Sequence, residues 1–207
     1  MPTETSAGTL RERKRARTRA AIVDAALRLF AANGYDGTTV ADIAAAADIA
    51  PRTFFSYFPS KDDVLLPGAD ARIAAAIEAI AERGPQDRPA DVLLRALDSV
   101  IDGGHDFADE EGALRFRLMQ TVPAIRGRAL QVQLDAQRQI ARRLQAAYAD
   151  ELDDIAAGAI VGAFVGAVTG AVQAMVDTGI PESHAARARA LRRATEIALR
   201  PWQQDQR

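Results

Sequence analysis

The sequence predicts an all-α protein: an N-terminal three-helix helix-turn-helix domain followed by a larger C-terminal helical domain, with about nine helices in total. Three observations support this fold class. Alanine is abundant and aromatic residues make up only 5% of the 207 residues, a composition that favours helices over strands. Apolar residues recur at three-and-four spacing along most of the chain. Two short helical segments joined by a tight turn lie between residues 39 and 57, which is typical of a helix-turn-helix unit.

The first predicted helix runs from about Arg11 to Ala32. Ile22, Leu29 and Phe30 lie on one apolar stripe of this segment. Asn33-Gly34 follows, and a glycine at this position supplies the left-handed residue that commonly ends a helix. We therefore expect the helix to end there. The nine residues before it are predicted to be a flexible tail.

Two short helices come next. Thr39 stands three residues before Asp42, the spacing of a capping box that starts a helix. That helix is predicted to end near Ala46, and Ala50-Pro51 begins the next one, because proline is tolerated in a first helical turn. The third helix should extend to about Tyr57, and Ser60 should cap a fourth helix that starts at Lys61.

The rest of the chain predicts longer helices without strands or repeats. The fourth helix is expected to extend to about Arg83, where Gly84-Pro85 ends it. The remaining predicted helices are the fifth over about Ala90–Ile101, the sixth over Glu110–Thr121, the seventh over Ala124–Ala149, the eighth over Leu152–Asp177 and the ninth over Ser183–Leu199. The predicted domains are residues 10–60, which contain the helix-turn-helix unit, and residues 61–200, which contain the longer helices, with a C-terminal tail over 201–207.

Charge is distributed unevenly along the chain. The net charge is −2, yet residues 1–19 contain six basic and two acidic side chains, whereas residues 67–207 contain 17 basic and 20 acidic ones. A concentration of positive charge at one end is what contact with phosphate at that end requires. A solvated basic tail would give the same pattern.

Several residues between Leu29 and Leu65 match a known family signature. The matching segments read LFAANGY at 29–35, DGTTVADIA at 36–44 and PRTFFSYFPSKDDVL at 51–65. They resemble the signature of the tetracycline-repressor (TetR) family of transcriptional regulators. The resemblance covers about 45 residues, and the remaining two thirds of the chain agrees with the family only in length and helical character.

The resemblance implies that the third helix enters the major groove of DNA, where base edges are distinguishable. By position in the motif, Arg52, Thr53 and Ser56 would contact bases. The residues placed at the DNA backbone are Thr38, Thr39, Tyr57 and Lys61, with Arg17 and Arg19 of the basic segment reaching phosphates or the minor groove. Phe55 stands where the family commonly has a tyrosine whose hydroxyl reaches phosphate. Without that hydroxyl, Phe55 is left with core packing, or apolar contact with a sugar or a thymine methyl.

Residues 155–176 contain no charged side chain and are long enough to cross a bilayer. The run is mostly alanine and glycine, however, and it lacks an aromatic belt and basic flanks. We therefore predict a buried helix of a cytoplasmic protein rather than a membrane span. Glycines recur every fourth residue, at Gly158, Gly162, Gly166 and Gly170. We expect this ridge to pack closely against a second copy, since the resemblance implies a homodimer bound to an inverted repeat.

The resemblance also implies a small-molecule effector pocket in the C-terminal domain. The candidate apolar walls are Phe107, Phe116, Met119 and Phe164, and the candidate polar contacts are His105, Arg115, Gln120 and Gln137. Residues of these types belong more often to the core or the surface than to a ligand site. The mostly aliphatic surroundings favour a hydrophobic effector.

Pro67-Gly68 falls within the first two turns of the predicted fourth helix. Proline removes a backbone hydrogen bond and glycine adds flexibility, so a kink is expected there. One hypothesis is that the kink is a hinge between the DNA-binding and effector-binding domains. The alternative is a local bend without a function.

The sequence contains no constellation typical of an enzyme. It has no cysteine and only two histidines, His105 and His184, which lack metal-ligand spacing, and no phosphate-binding glycine loop. No catalytic residue, metal or cofactor is therefore expected. The acidic residues between Asp102 and Glu111 lack calcium-loop spacing and predict a solvated loop. The remaining alternative is a helical interaction module with a degenerate DNA-binding domain.

Overall fold

A computed structural model describes residues 10–66, 69–103 and 110–203 of the chain. The chain divides into two compact units, Met1–Pro67 and Gly68–Arg207. The division falls after Pro67 rather than after Ser60 as the sequence predicted. Helices and turns account for the secondary structure of the described ranges, in which no strand occurs, and this confirms the predicted fold class. Tyr35 lies in the first unit and Trp202 in the second.

The first unit consists of α1 (Leu10–Asn33), α2 (Val40–Ala46), α3 (Pro51–Phe54) and a 3-10 helix over Asp62–Leu65. Its core contains large apolar side chains with almost no exposed surface. These are Ile22, Leu27, Phe30, Ile43, Phe54, Phe58, Val64 and Leu65. Helix α1 packs against α2 and against the 3-10 helix. The unit therefore extends beyond Ser60, because Val64 and Leu65 belong to its core.

The predicted end of α1 and start of α2 are confirmed, whereas α3 ends at Phe54 rather than near Tyr57. Gly34 has a φ of +74°, the left-handed conformation that ends α1, and its N–H donates to the carbonyl of Phe30 at 3.1 Å. Thr39 caps α2 in a capping box with Asp42. Between α2 and α3, Asp48 adopts a φ of +53°. This is a conformation that aspartate tolerates better than most residues, and it sets the tight turn of the helix-turn-helix.

The prediction of one fourth helix starting at Lys61 is wrong. Residues 62–65 form the 3-10 helix, and α4 begins only at Ala69. Leu66, the residue before Pro67, has φ −113° and ψ 42°, outside the α-helical region. Proline disfavours the helical conformation of the residue before it and cannot donate a hydrogen bond inside a helix. The sequence therefore contained the reason for this break.

The second unit contains the longer helices, close to the predicted bounds. They are α4 (Ala69–Ala81), α5 (Pro89–Asp102), α6 (Glu110–Thr121), α7 (Pro123–Ala147), α8 (Asp154–Thr178) and α9 (His184–Leu199), followed by a 3-10 helix over Arg200–Trp202. Two buried clusters form its core. The larger one joins α4, α5, α7 and α8, and Trp202 packs against it. Pro201 and Trp202 are thus part of an ordered element rather than of the predicted tail.

Helix α8 is not the buried helix that we predicted. Its mean hydropathy of 2.1 and its length would allow it to cross a membrane, yet only 22% of its most apolar window is buried within the chain. Ile155 near its start is 82% exposed. Besides Ile155, the exposed residues of α8 include Gly158, Ala159, Gly166, Gly170 and Ala174. Hydropathy alone cannot show whether such small residues are exposed or buried. A surface this apolar is uncommon on a soluble monomer.

Four sequence predictions lie outside the described residues. Pro67 and Gly68, the predicted hinge, are in the first undescribed interval, and His105 and Phe107 of the predicted effector pocket are in the second. The predicted N-terminal tail, residues 1–9, also lies outside the described part of the chain. These predictions therefore remain as the sequence analysis stated them.

Candidate nucleic-acid interface

The α3 segment separates a buried face from an exposed one. Hydrogen bonds from the N–H of Ser56 to the carbonyl of Thr53 at 3.0 Å, and from Phe58 to Phe54 at 3.0 Å, extend its turn beyond the helix itself. Phe54 and Phe58 are fully buried, with their ring centres 5.8 Å apart. Core packing is therefore the role of these two rings.

The predicted base-contacting residues lie mainly on the opposite face. Arg52 and Ser56 are exposed, Thr53 and Tyr57 are half-buried, and Phe55 is 56% exposed. Phe55 packs edge-to-face on Phe54, with ring centres 5.4 Å apart and an interplanar angle of 83°. Phe55 therefore does not belong to the core. This excludes the core-packing interpretation of Phe55, and contact with a sugar or a thymine methyl stays a prediction.

Thr38 cannot contact DNA in this fold, so its predicted role is wrong. Its side chain is 1% exposed, and its hydroxyl donates to the carbonyl oxygen of Gly34 at 2.9 Å, with that of Leu29 at 3.3 Å. Thr38 thus holds the end of α1 in place. The sequence could not separate it from Thr39, because both threonines stand together at the start of α2.

Thr39 is exposed, but its hydroxyl is engaged within the domain. Its Oγ1 donates to Oδ2 of Asp42 at 2.6 Å and accepts the backbone N–H of Asp42 at 3.2 Å. The backbone N–H of Thr39 donates to the same carboxylate at 2.8 Å. These hydrogen bonds, the one from the hydroxyl first, lower the pKa of Asp42 below its ordinary value. A phosphate would have to compete with Asp42 for the single hydroxyl hydrogen.

Lys61 is held by the loop after α1. Its Nζ donates to the carbonyl oxygens of Tyr35 and Thr38, each at 2.9 Å, and lies 3.8 Å from the centre of the Tyr35 ring. The hydroxyl of Tyr35 donates to Asp62, so residues 61 and 62 both bind this tyrosine. Two of the three ammonium hydrogens are engaged. The sequence analysis identified Lys61 but missed the roles of Tyr35 and Asp62.

The two arginines of the basic segment differ. Arg17 is exposed, as a phosphate-contacting residue would be. Arg19 is half-buried and packs over Phe58, 4.3 Å from the ring centre. Its guanidinium also donates to the carbonyl of Tyr57 at 3.1 Å. Arg19 therefore supports the end of the α3 turn from inside the domain.

This domain is similar to the DNA-binding domains of known bacterial regulators. Residues 22–66 match the family model of bacterial regulatory proteins of the tetR family. The chain is also 35% identical over 150 residues to the HTH-type transcriptional regulator TcmR of Streptomyces glaucescens, an alignment that covers 70% of this chain and 66% of TcmR. The chain belongs to the TetR family. This TetR-family chain spans just under two thirds of the length of TcmR.

Two further similarities agree with this assignment. The putative mycofactocin biosynthesis transcriptional regulator MftR of Mycobacterium tuberculosis is 45% identical over 64 residues, covering 31% of this TetR-family chain and 30% of MftR. The crystal structure of Thermus thermophilus FadR, a TetR-family repressor in complex with lauroyl-CoA, has a TM-score of 0.56 at 23% identity, covering 87% and 93% of the two chains. At this identity the structural match supports the fold.

The structure brings some of the predicted effector residues together. Phe116 of α6 and Phe164 of α8 both pack against the second core cluster, which includes Leu97, Val172 and Leu191. Met119 and Gln137 are half-buried. Gln120 is exposed and donates to Gln173 of α8 at 2.6 Å. It therefore links two helices at the surface, and the structure does not place it with the two phenylalanines.

Arg115 and Arg72 introduce positive charge into the second unit. The side chain of Arg115 is 13% exposed and lies 3.3 Å from Glu111. Burial, followed by the nearby positive charge of Arg115, lowers the pKa of Arg72, and Asp70 opposes the shift. The sequence analysis missed Arg72. The signal for it was a charged residue within the apolar run ARIAAAI at 71–77.

An open cavity of about 350 Å³ lies at the C-terminal ends of α4 and α7. Its lining is Arg83, Gly84, Pro85, Asp87 and residues 147–151. Arg83 donates to the carbonyl of Ala147 at 2.6 Å, and the Tyr148 hydroxyl donates to the carbonyl of Asp87 at 2.9 Å. None of the predicted effector residues lines this polar cavity. These hydrogen bonds join the segment after α4 to the end of α7. They give Arg83 and Tyr148 a structural role.

The glycine ridge of α8 faces open space within the chain. A Cβ placed on Gly158, Gly162, Gly166 or Gly170 would have no neighbouring heavy atom within 4 Å. The ridge therefore does not serve packing within this chain. On α9, which packs along α8, Ile197 is also 58% exposed. Within the described ranges, no group of three or more histidine or acidic side chains could hold a metal ion.

Proposed function

We propose that this chain is a sequence-specific DNA-binding transcriptional regulator that represses genes from an inverted-repeat operator and is released by a small-molecule effector. The observation that carries the proposal is the exposed face of the α3 turn. Arg52, Phe55 and Ser56 project from a turn whose opposite face, Phe54 and Phe58, fills the core. Folding does not require an arginine at this exposed position, whereas readout of guanine does.

The contacts divide into base-reading and backbone-positioning groups. Arg52 and Ser56 are proposed to contact bases, with the half-buried Thr53 at the edge of the same surface. Arg17 and Tyr57 are proposed to contact phosphates. Arg19 and Lys61 support this surface through hydrogen bonds within the domain, as does the exposed Thr39 through Asp42, and of these Lys61 retains one donor for a phosphate.

The proposed functional unit is a homodimer formed through α8 and α9. The apolar, largely uncovered surface of α8 and the open glycine ridge support this interface, because glycine lets two helix backbones approach closely. A two-fold dimer binds half-sites about one helical turn apart, roughly 34–36 Å. A dimer would also cover the exposed Ile155 and Ile197, for which the isolated chain offers no partner surface.

The decisive experiment is selection from a pool of random duplexes with the purified protein at moderate salt, followed by sequencing. Enrichment of an inverted repeat would support a sequence-reading dimer. An unchanged pool at every salt concentration would contradict the proposal. The Arg52→Ala variant serves as the matched comparison, since its side chain is exposed and its loss should relax the preference at one position in each half-site without unfolding the domain.

A helical interaction module with an inactive DNA-binding domain is the second candidate. The exposed apolar face of α8 favours protein association and says nothing of DNA. Salt dependence discriminates between the two candidates. Phosphate contacts make the affinity for DNA fall steeply as salt rises, whereas association through an apolar surface changes little.

For the effector we propose a hydrophobic compound that carries an acidic group. Phe116 and Phe164 offer apolar contact, and an acidic group would bind beside the charges of Arg72 and Arg115 in competition with Asp70 and Glu111. The relative FadR was crystallised with lauroyl-CoA, which suggests lauroyl-CoA and dodecanoate as probes and dodecanol as the neutral control. DNA release by the acid but not by the alcohol, lost in Arg115→Gln, would support this class. Equal release by acid and alcohol would contradict it.

We also propose that residues 67 and 68 couple effector binding to DNA release. The unit boundary between them supports this role. Replacing both Pro67 and Gly68 with alanine favours a continuous helix. Once an effector is known, the double variant should bind it with unchanged affinity but release DNA less completely. Unchanged release would contradict the hinge.

A further inference from the structure

Phe55 is an exposed aromatic ring within a polar DNA-binding surface. Slightly more than half of its surface is open to solvent, whereas the two other phenylalanines of the turn, Phe54 and Phe58, are fully buried and Tyr57 is half-buried. Its position is also defined, because it packs edge-to-face on Phe54. An anchored ring of this kind loses little conformational freedom when a partner covers it. A partner that covers the ring would offer an apolar group at this position.

The neighbours of Phe55 indicate what the partner is. Arg52 stands three residues before it and Ser56 directly follows it, and the hydrogen-bonded turn keeps all three on the exposed side. Residues three apart on a helical turn lie about 5–6 Å from each other. Successive bases along a strand are about 3.4 Å apart. At this spacing the ring is within reach of a base one or two steps from the base that Arg52 is proposed to contact.

The chemistry of the ring restricts its target. Phenylalanine has no hydrogen-bond donor or acceptor, so it cannot read the polar edges of guanine, cytosine or adenine. The C5 methyl of thymine is the one apolar group in the major-groove pattern. We propose that Phe55 is a specificity-determining residue that contacts a thymine methyl beside the base contacted by Arg52. This inference rests on the proposed function as a DNA-binding regulator.

The test uses the inverted repeat obtained by selection. Each thymine of a half-site is replaced in turn by deoxyuridine, which removes only the methyl group. At one position per half-site, wild-type affinity should fall about four-fold, and about fifteen-fold when both half-sites carry the change, as expected for one buried methyl per half-site. The Phe55→Ala variant should bind the thymine and deoxyuridine duplexes equally, whereas Phe55→Tyr should keep the preference.

Three results would overturn the inference. In the first, the wild type binds an inverted repeat with steep salt dependence but is insensitive to every deoxyuridine, so Phe55 reads no methyl while the proposed function stands. In the second, the Phe55→Ala variant keeps the full preference for thymine. In the third, the protein self-associates without DNA and Phe55→Ala abolishes this, so a second copy covers the ring. Failure to enrich any duplex would instead reject the proposed function, and the inference with it.

Discussion

The guanidinium of Arg19 lies 4.3 Å from the centre of the Phe58 ring and donates a hydrogen bond to the carbonyl of Tyr57. One side chain of α1 thus holds the end of the turn that presents Arg52 and Phe55. In sequence, Arg19 is one of several similar basic residues. In the structure, Arg19 packs against the ring of Phe58, whereas Arg17, two residues earlier, is exposed.

We expect Arg17→Gln and Arg19→Gln to weaken DNA binding in different ways. Loss of a phosphate contact at Arg17 should reduce the slope of log affinity against log salt by about 0.9 for each lost contact and leave thermal stability unchanged. Arg19→Gln should lower the unfolding temperature and weaken binding at every salt concentration with little change in slope. Fluorescence anisotropy across a salt series, with thermal unfolding in parallel, measures both quantities. A reduced slope for Arg19→Gln would show that this residue also contacts phosphate.

Thr38→Val should destabilise the first unit without weakening DNA binding at temperatures where the variant is folded. The substitution preserves the shape of the side chain but leaves the carbonyl of Gly34 without its buried donor, at a cost of about 1–3 kcal/mol. Thr38→Ser is the control, because it retains the hydroxyl. Urea unfolding gives the stability, and a gel-shift titration gives the affinity. Loss of DNA affinity in a fully folded Thr38→Val protein would contradict this account and show that Thr38 contributes to DNA binding.

The stabilising effect of Asp42 should depend on pH. Its pKa is lowered in the folded protein by the hydrogen bonds from Thr39, so its stabilisation is present above the ordinary aspartate value near 3.8 and is lost as the pH falls through the lower folded value. The urea midpoints of wild type and Asp42→Asn should therefore differ at neutral pH and converge in acid. A constant difference across the whole pH range would contradict this account.

Gly162→Leu should separate the proposed dimer into monomers. The open space around Gly162 lets a single chain accept leucine, but the larger side chain would prevent close approach of a second α8. Gly127 of α7 is an exposed helical glycine with equally open surroundings, so Gly127→Leu is a matched control that should remain dimeric. Sedimentation velocity distinguishes the two states. Retention of the dimer by Gly162→Leu would exclude the glycine ridge from the interface.

Much of the fold follows from local sequence signals. Gly34 and the Thr39–Asp42 pair act through their own backbone neighbours, so the end of α1 and the start of α2 could be predicted from adjacent residues alone. Pro67 disfavours a continuous helix and so favours a start of α4 after it, whereas Ser60 and Lys61 resemble a helix start and predict an earlier one.

The site was less predictable because its residues differ by orientation rather than by type. Thr38 and Thr39 are chemically identical neighbours, and only the packing of α2 against α1 directs one inward and the other outward. Arg19 resembles every other basic residue of its segment until Phe58 is placed beneath it. Such roles depend on residues distant in sequence, and a family signature identifies positions without stating which of them the fold engages.

Trp202 is the single tryptophan of the chain, and it packs against the larger core cluster of the second unit. Its emission under selective excitation therefore follows the unfolding of that unit alone. Backbone circular dichroism follows both units together. Comparing the two signals in one denaturation series would show whether the DNA-binding unit melts separately, without any label or truncation.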